Sequence, residues 1–332
     1  MYTHYYGLLR YPFGPVSDAK ALFLSEAHKE GLATLEYGIL ASKEFLLLTG
    51  GVGTGKTTLI TVLVNSLKPA VKVCVLANPL LASAEFFYYI ASKLGMPVFI
   101  NKVIFLQEFS ELLEKCIKNN EKVLLIIDEA HVLSVELLEE IRLLSNLAGG
   151  GQNALSIFLV GQPEFLDRLA HERLLPLRQR IGIRFHLDPF SFEDTAQYIL
   201  FRLNRAGARN SGLFSEEAVK VIHRTTHGNP RLINTLCDHA LMSGFAKEQL
   251  IIDDTTVSEC VRELHLPGEM KTFDLLPLSP SKRKKRGFFF FLMVLFLALL
   301  LAVIFSSGAV EFKNIWNKGA RFFGQNSGIS QM

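Results

Sequence analysis

Cysteine is scarce in this sequence, and no two cysteines stand at the spacing of a metal-binding or redox motif. The four cysteines are far apart, in apolar or helical contexts, at Cys74, Cys116, Cys237 and Cys260. Because no CxxC pair is present, the sequence indicates neither a zinc site nor a dithiol redox centre. We expect reduced, structural thiols, as in proteins of a cytosolic compartment.

The chain also lacks a strong excess of either charge. Its formal net charge is +3, and five positive charges fall on the consecutive residues 282–286, so the remainder carries a net charge of −2. Proteins that coat nucleic acid need clustered Lys and Arg to neutralise phosphates. The charge balance therefore argues against nucleic acid as a partner of the body of the chain.

One long apolar run stands near the C-terminal end. Residues 288–305 are all apolar, and as a helix they would span ~27 Å. Residue 287 and residues 306–310 can extend this segment towards the ~30 Å core of a bilayer. We predict a transmembrane helix over 287–310, rather than a buried core helix or a hairpin.

Two features predict the orientation of this helix. The first fourteen residues lack the basic stretch and apolar run of a secretory signal. The cations at 282–286 flank the N-terminal side of the apolar run, so the positive-inside rule places the body of the chain in the cytoplasm. We expect a short tail at 311–332 on the other side, and the cations can also attract anionic lipid headgroups.

Strands and helices alternate over the first 190 residues. Apolar runs predict strands at 45–48, 71–77, 122–128, 155–161 and 183–190, and helices between them at 56–67, 83–94, 105–118 and 134–148. The predicted strands are apolar on both faces. This pattern is typical of a parallel sheet that is covered by helices on two sides.

From residue 191 onward, helical periodicity replaces the strands. It predicts helices at 192–206, 215–226, 231–246 and 254–263, with N-caps at Ser191, Ser215 and Asp253 or Asp254. We therefore predict a small all-α domain at 191–265. A linker with three prolines and the basic run follows it at 266–286.

A glycine-rich motif follows the first predicted strand and precedes a predicted helix. The sequence "GGVGTGKT" at 50–57 fits GxxxxGK[ST] in the context that a phosphate-binding loop requires. In such a loop main-chain N–H groups bind the phosphates, Lys56 neutralises them and the Thr57 hydroxyl binds Mg²⁺. The predicted nucleotide-binding residues are Gly50, Gly51, Val52, Gly53, Thr54, Gly55, Lys56, Thr57 and Thr58.

A pair of carboxylates ends another predicted strand. In "VLLIIDEAH" the apolar run delivers Asp128 and Glu129 at its carboxyl end. With the phosphate-binding loop, Asp128 is expected to join Thr57 at Mg²⁺, and Glu129 to polarise the attacking water. The motifs thus favour ATP hydrolysis with Mg²⁺. His131 either couples this site to a neighbouring segment or serves in packing.

Several motifs in order resemble AAA+ ATPases of the general secretion pathway protein A type, also called ExeA. The resemblance covers about residues 1–265 and is carried by "PFGPVSDAKALFLSEAHKEGLATLEYGI", "TGGVGTGKTT", "IIDEAH", "LVGQPEF", "LRQRI" and "THGNPRLIN". It implies a P-loop AAA+ core with an α/β sheet, followed by a small all-α lid.

The resemblance also implies roles for four further residues. Gln162 matches the sensor-1 position, where a polar side chain touches the γ-phosphate or orients water. Arg178 and Arg180 fall where an arginine finger reaches a neighbouring subunit's nucleotide, with Arg180 preferred. Arg231 resembles sensor 2, and residues 11–23 are expected near the adenine. A shared finger implies a homo-oligomer.

The resulting organisation has five segments. They are an ATPase core at 1–190, a helical lid at 191–265, a linker at 266–286, a transmembrane helix at 287–310 and a periplasmic tail at 311–332. The expected location is the bacterial inner membrane, with the ATPase domain in the cytoplasm.

Three functions are weighed on this basis. The favoured one is an ATPase that drives or gates assembly of an envelope machine for type II secretion or a pilus, with an inner-membrane partner protein. A DNA-associated regulator of transposition or origin opening is the first alternative. Residues 191–263 hold eight Lys and Arg against ten Asp and Glu, which argues against DNA. A nucleotide-dependent scaffold with low turnover is the second alternative.

Overall fold

A computed structural model describes most of the first 265 residues of the chain. The described ranges are 2–14, 22–77, 81–97, 99, 101–148, 154–208, 210 and 212–265. The predicted linker, transmembrane helix and tail, at 266–286, 287–310 and 311–332, lie outside the described residues. Among the residues that are described, no helix combines the length and apolar character needed to cross a membrane.

Five parallel strands form a single sheet, as the sequence predicted. They are β1 Phe45–Gly50, β2 Val71–Leu76, β3 Lys122–Ile127, β4 Leu155–Gly161 and β5 Ile181–Leu187. Their order across the sheet is β2-β3-β4-β1-β5. Strand β4 therefore lies between β3 and β1, although it follows both of them in sequence.

Twelve α-helices complete the described part of the fold. They are α1 Tyr2–Tyr5, α2 Glu26–Leu40, α3 Lys56–Ser66, α4 Ser83–Leu94, α5 Lys102–Lys118, α6 Val135–Ser145, α7 Glu164–Leu169, α8 Leu175–Arg180, α9 Phe192–Arg205, α10 Glu216–Thr226, α11 Pro230–Ala246 and α12 Asp254–Glu263. Helices α1 to α8 are interleaved with the strands, and α9 to α12 follow the sheet.

Alternation along β1 shows how both faces of the sheet are covered. Phe45 and Leu47 pack in a core formed with α4 to α8. Leu46 and Leu48 point to the opposite face and pack against α2 and α3. Every residue of β1 and β4 is buried, whereas the edge strand β5 alternates between buried and more exposed residues. The prediction of an apolar sheet covered on two sides is confirmed.

Three predicted N-caps are confirmed, and several predicted boundaries, those of α5 and β5 among them, need correction. Ser191, Ser215 and Asp253 accept the expected main-chain hydrogen bonds at the starts of α9, α10 and α12. Helix α5 begins at Lys102, three residues before the predicted start at residue 105. The Asn101 side chain caps this start, because it accepts a hydrogen bond from Ile104 N. Strand β5 covers 181–187 rather than the predicted 183–190, since Pro189 has no N–H with which to continue the strand pairing.

The helices α9 to α12 enclose a second apolar core. The first residues of the chain take part in it, because Tyr2, Tyr6, Leu8 and Phe13 are buried among these helices. The predicted boundary between residues 190 and 191 falls between β5 and α9, and it stays a prediction. The N-terminal segment, residues 2–14, therefore packs with the helical cluster, helices α9 to α12.

Gly228 joins the helical cluster to the end of the sheet. Its φ of +73° lies in the left-handed region, which glycine adopts without steric cost. A Cβ at this position would lie 1.9 Å from the Phe190 carbonyl oxygen. The main chains are also bonded, since Phe190 N donates to Gly228 O at 2.9 Å. The turn before α11 therefore requires glycine for both conformation and space.

Substitution of Gly228 by Ala should destabilise the protein far more than a left-handed glycine in open space. The expected loss in free energy of unfolding is about 3 kcal/mol or more, because backbone strain and a main-chain clash combine. Gly95 is the matched control, with a φ of +68° and no atom within 4 Å of a Cβ. Gly95→Ala should cost about 1 kcal/mol. Equal losses in urea denaturation would contradict this account.

Candidate functional site

The glycine-rich loop at 50–57 connects β1 to α3 in a conformation that its glycines permit. Gly53 and Gly55 have φ values of +77° and +106°, which L side chains rarely adopt. A Cβ on Gly55 would lie 2.7 Å from Nε2 of His28. The loop therefore approaches α2 so closely that a side chain at 55 would displace the buried ring.

Lys56 begins α3 and is buried against the loop. Its Nζ donates hydrogen bonds to the carbonyl oxygens of Gly50 and Gly51, both at 2.9 Å. Burial lowers the pKa of Lys56, and the nearby carboxylates of Glu129 and Asp128 act in the opposite direction. No ion pair within 4 Å neutralises this ammonium group in the described part of the chain. An anion bound at the loop would supply the missing charge.

Asp128 follows β3 and lies opposite the loop. Its Oδ2 accepts a hydrogen bond from the Thr57 hydroxyl at 3.3 Å, and its Oδ1 accepts one from Glu129 N at 2.9 Å. Burial raises the pKa of Asp128, and these two hydrogen bonds partly oppose the rise. A hydroxyl and a carboxylate side by side are ligands that suit Mg²⁺, which favours oxygen donors.

Glu129 occupies an unusual main-chain conformation beside Asp128. Its φ is +53°, a left-handed value that costs a residue with a Cβ of order 1–2 kcal/mol. Its side chain is 43% exposed, so the carboxylate is open to solvent. The strained turn directs Glu129 into the cleft that the loop borders.

The cleft has a volume of about 570 Å³ and is bordered by three parts of the chain. The loop and Glu129 form one side, and the N-terminal segment and the helical cluster form the others. Among the lining residues are Phe13, Phe23, His28, Tyr198, Arg202 and Arg231. The aromatic residues of the N-terminal segment thus border the cleft together with the phosphate-binding loop.

The turn before α11 contacts the loop directly. Asn229 Nδ2 donates to Val52 O at 2.6 Å, and Asn229 Oδ1 caps α11 through Arg231 N and Leu232 N. A Cβ on Gly53 would lie 2.7 Å from Asn229 Oδ1. The start of α11, which carries Arg231, is therefore held against the loop by a side chain that the sequence analysis did not single out.

Arg202 on α9 fixes the N-terminal segment at the cleft. Its Nε donates to Pro12 O at 2.6 Å, and its other nitrogens donate to Gly14 O and to the Tyr198 hydroxyl. The guanidinium also lies 5.9 Å from the centre of the Phe13 ring, within the range of a cation–π contact. A buried arginine therefore ties this wall of the cleft to the helical cluster.

Gln162 follows β4, between the strands that carry the loop and Asp128. Its side-chain nitrogen lies 3.0 Å from Nε2 of His131, and the same ring nitrogen is 3.4 Å from Glu129 Oε2. The structure thus brings Gln162 and Glu129 to a common partner.

The two arginines of "LRQRI" lie outside the cleft. Arg180 donates to Ser145 Oγ and Asn146 Oδ1, both at 2.7 Å, and lies 3.8 Å from a carboxylate oxygen of Glu44. Arg178 is exposed and borders a smaller cavity of about 360 Å³ beside β5. Neither arginine is among the lining residues of the nucleotide cleft.

His28 is a further site residue that the sequence analysis did not identify. The ring is 2% exposed and packs near Phe190, and its Nδ1 lies 2.8 Å from Ser25 Oγ. Burial lowers the pKa of His28, while Asp194 and a main-chain hydrogen bond at Thr54 act against this shift. A lone histidine in a helical pattern carries no local signal of such a role, whereas Asn-Pro before a helix does signal a cap at Asn229.

Replacement of His28 by Asn should flatten the pH dependence of stability below neutral pH. Because the folded protein lowers the pKa of His28, the unfolded chain binds a proton more readily around its ordinary value of about 6.5. The free energy of unfolding should therefore fall as the pH decreases below about 6.5, and less so in His28→Asn. Urea denaturation at a series of pH values measures the free energy of unfolding of the wild type and of His28→Asn. An identical pH dependence in the two proteins would contradict a lowered pKa of His28.

Comparison with known proteins gives a family match over the sheet region. Residues 40–169 match the model of the AAA domain family. Over 251 residues the chain is 38% identical to general secretion pathway protein A of Aeromonas hydrophila. This alignment covers 74% of the present chain but only 45% of that protein.

Two solved structures share the fold at low sequence identity. Cdc6p of Pyrobaculum aerophilum superimposes with a TM-score of 0.58 at 17% identity, covering 76% of this chain and 70% of that one. The ORC2 protein of Aeropyrum pernix superimposes with a TM-score of 0.56 at 18% identity, covering 76% of this chain and 71% of that one. Residues 40–169 therefore match an AAA domain, and over about three quarters of its length the chain resembles general secretion pathway protein A, as its motifs predicted.

Proposed function

We propose that this chain is an ATP hydrolase that uses Mg²⁺ to drive or gate assembly of an envelope machine. The observation that carries the proposal is the convergence of Lys56, Thr57, Asp128 and Glu129 around one cleft. Lys56 is buried and has no ion pair within 4 Å among the described residues, and Glu129 is an open carboxylate in the same cleft. This combination suits binding of a triphosphate beside a group that can take a proton.

The residues of the cleft fit ATP and Mg²⁺. The main chain of the loop at 50–57 and Lys56 would hold the phosphates, and Thr57 and Asp128 would hold the metal ion. When bound, Mg²⁺ neutralises charge on the phosphate oxygens. Glu129 orients a water molecule and accepts its proton. The Aeropyrum pernix ORC2 structure, whose fold is similar, was solved as ADPNP and ADP complexes.

Two substitutions separate nucleotide binding from hydrolysis. Lys56→Ala should abolish ATP binding, because the buried cation at the loop is lost. Glu129→Gln should retain ATP binding but lower kcat by roughly 100-fold or more, since a general base contributes factors of this order. Titration of a fluorescent ATP analogue and phosphate release measure the two effects.

The exposed Glu114 on α5 provides the matched control for Glu129. Glu114→Gln should leave both affinity and kcat unchanged. Full hydrolysis by Glu129→Gln would contradict the assigned role. A Glu129→Gln protein that hydrolyses nothing yet supports assembly in cells would instead favour the low-turnover scaffold.

We further propose that the active form is a homo-oligomer in which Arg180 serves the neighbouring subunit. An arginine finger needs a guanidinium in a fixed position beside the transferred phosphoryl group. Arg180 meets the first need, because Ser145 and Asn146 hold it at the junction of α8 and β5. It lies away from its own cleft, so only another copy of the chain could place it at a nucleotide. Arg231 at the start of α11 is proposed as sensor 2.

The dependence of activity on protein concentration tests this arrangement. Specific ATPase activity of the wild-type chain should rise with concentration, and that of Arg180→Ala should stay low and flat. The loss should reach roughly 10³-fold at saturation if Arg180 acts as a finger. The adjacent, exposed Arg178 is the control, and Arg178→Ala should behave as the wild type. If only Arg178→Ala were flat, the finger would be Arg178; equal, concentration-independent rates would exclude a shared site.

The proposal places the chain at the bacterial inner membrane through residues 287–310. The similarity to general secretion pathway protein A favours a secretion or pilus-like machine and an inner-membrane partner protein. In this arrangement the ATPase domain is cytoplasmic, the C-terminus is periplasmic, and the cations at 282–286 contact anionic lipid headgroups. Tethering would let movement of the lid at 191–265 act on a membrane complex.

A DNA-associated function is the alternative that the solved structures bring forward, since Drosophila ORC, which shares the fold at 17% identity, was solved bound to DNA. Their identities of 17% and 18% establish the fold alone. The helical region 191–263 has a net charge of −2, and binding to DNA phosphates normally requires a positive surface. We therefore favour the secretion-related function.

A further inference from the structure

We infer that His131 is a positioning residue that holds the Glu129 carboxylate and links it to Gln162. The inference rests on the proposed function, because it assigns a role around the proposed base. Its basis is one imidazole nitrogen with two functional neighbours. His131 Nε2 lies 3.4 Å from Glu129 Oε2 and 3.0 Å from the side-chain nitrogen of Gln162.

The main chain determines which nitrogen of the His131 ring carries the proton. Gln162 N donates a hydrogen bond to Nδ1 at 3.4 Å, so Nδ1 is an acceptor. In a neutral imidazole the proton then resides on Nε2. This N–H lies 3.4 Å from Glu129 Oε2. Because two donors cannot bond each other, the same tautomer requires the Gln162 amide to present its oxygen rather than its nitrogen to the ring. In this tautomer Nε2 is the ring nitrogen that can donate to Glu129.

The ring is held in place by the segment that follows β4. The His131 side chain is 16% exposed, and it sits on the 3₁₀ turn Ala130–Val132. The Arg168 guanidinium on α7 donates to the carbonyl oxygens of His131 and Leu133. The imidazole and its main chain are therefore both contacted by residues 162–168, which follow β4 and include the start of α7.

Glu129 depends on such a partner for a defined orientation. Its own main chain is in the left-handed region, and its N–H is bonded to Asp128. Its side chain is 43% exposed, so solvent alone would leave the carboxylate free to rotate. Among the described residues, the 3.4 Å contact with His131 is the one ion-pair distance recorded for this carboxylate. The contact restricts where the oxygen that accepts a proton can lie.

The shared nitrogen also makes the positions of Gln162 and Glu129 interdependent. A displacement of the Gln162 side chain changes the surroundings of the His131 Nε2–H group, which lies beside the Glu129 carboxylate. The path is short, since all three side chains meet at one atom of one ring. A residue that only filled space would provide no such dependence, and this difference makes the inference testable.

Kinetics of two variants of the full chain, compared with the wild type, test the positioning role. His131→Leu keeps an apolar volume but loses the hydrogen bonds, and we expect kcat to fall roughly 10- to 100-fold, as small misplacements of catalytic groups do. KM and affinity for an ATP analogue should change less than about 2-fold, since His131 contacts no residue of the loop in the described structure. His131→Gln, which returns an N–H near the Nε2 position, should recover most of kcat.

Two results would overturn the inference. One is a His131→Leu protein with wild-type kcat. The other is a variant in which kcat, KM and the melting temperature all shift together and His131→Gln recovers nothing, because that behaviour indicates a packing role. If the wild-type chain itself hydrolysed no ATP, the proposed function would fail instead. The kinetics of the His131 variants could then not be used, and the NMR measurement would decide the positioning role.

Nitrogen NMR of the ligand-free full chain provides a readout that needs no hydrolysis. The ¹⁵N shifts of the His131 ring should show a single Nε2–H tautomer, and Glu129→Gln and Gln162→Leu should each change the Nε2 shift. His239→Asn is the control substitution, since His239 is an exposed residue of α11 outside the cleft, and it should leave the His131 signals unchanged. A His131 ring that exchanges between tautomers and ignores both substitutions would refute the link even in an active enzyme.

Discussion

Parallel pairing of β3, β4 and β1 is the constraint on which the candidate site depends. Because β4 lies between the other two strands, the carboxyl ends of all three meet at one edge of the sheet. The loop at 50–57, Asp128 and Gln162 follow these three strands directly. Residues more than a hundred positions apart are therefore assembled by main-chain hydrogen bonds between strands that are almost entirely buried.

A second set of contacts brings the helical cluster to this edge. Asn229 reaches the loop at Val52, and Arg202 holds the N-terminal segment at the other side of the cleft. Both are polar side chains that satisfy main-chain carbonyl groups, and replacement of Arg202 would leave the buried carbonyl of Pro12 without this partner. Movement of the helical cluster would thus displace the phosphate-binding loop through Asn229. It would also displace the N-terminal segment beside the cleft through Arg202.

Much of the fold and part of the site could be predicted because their signals are local. Five apolar runs indicated five strands, and Ser191, Ser215 and Asp253 signalled helix starts through their neighbours three residues on. The phosphate-binding loop and the Asp128–Glu129 pair were found because their chemistry requires contiguous residues. By contrast, Asn101 was missed as a cap, since the helix it begins opens with Lys and Val rather than with a clear apolar period.

The sequence by itself determined the elements and the groups that can bind phosphate, because these follow from periodicity and from motifs within a few residues. Only the tertiary structure decided that His28 supports the loop, that Asn229 joins α11 to it, and that His131 stands between Glu129 and Gln162. Each of these contacts links residues from different elements of the chain. Contacts of this kind cannot be predicted from the spacing of residues in the sequence, since the packing of the sheet and the helices sets the distance between the two side chains.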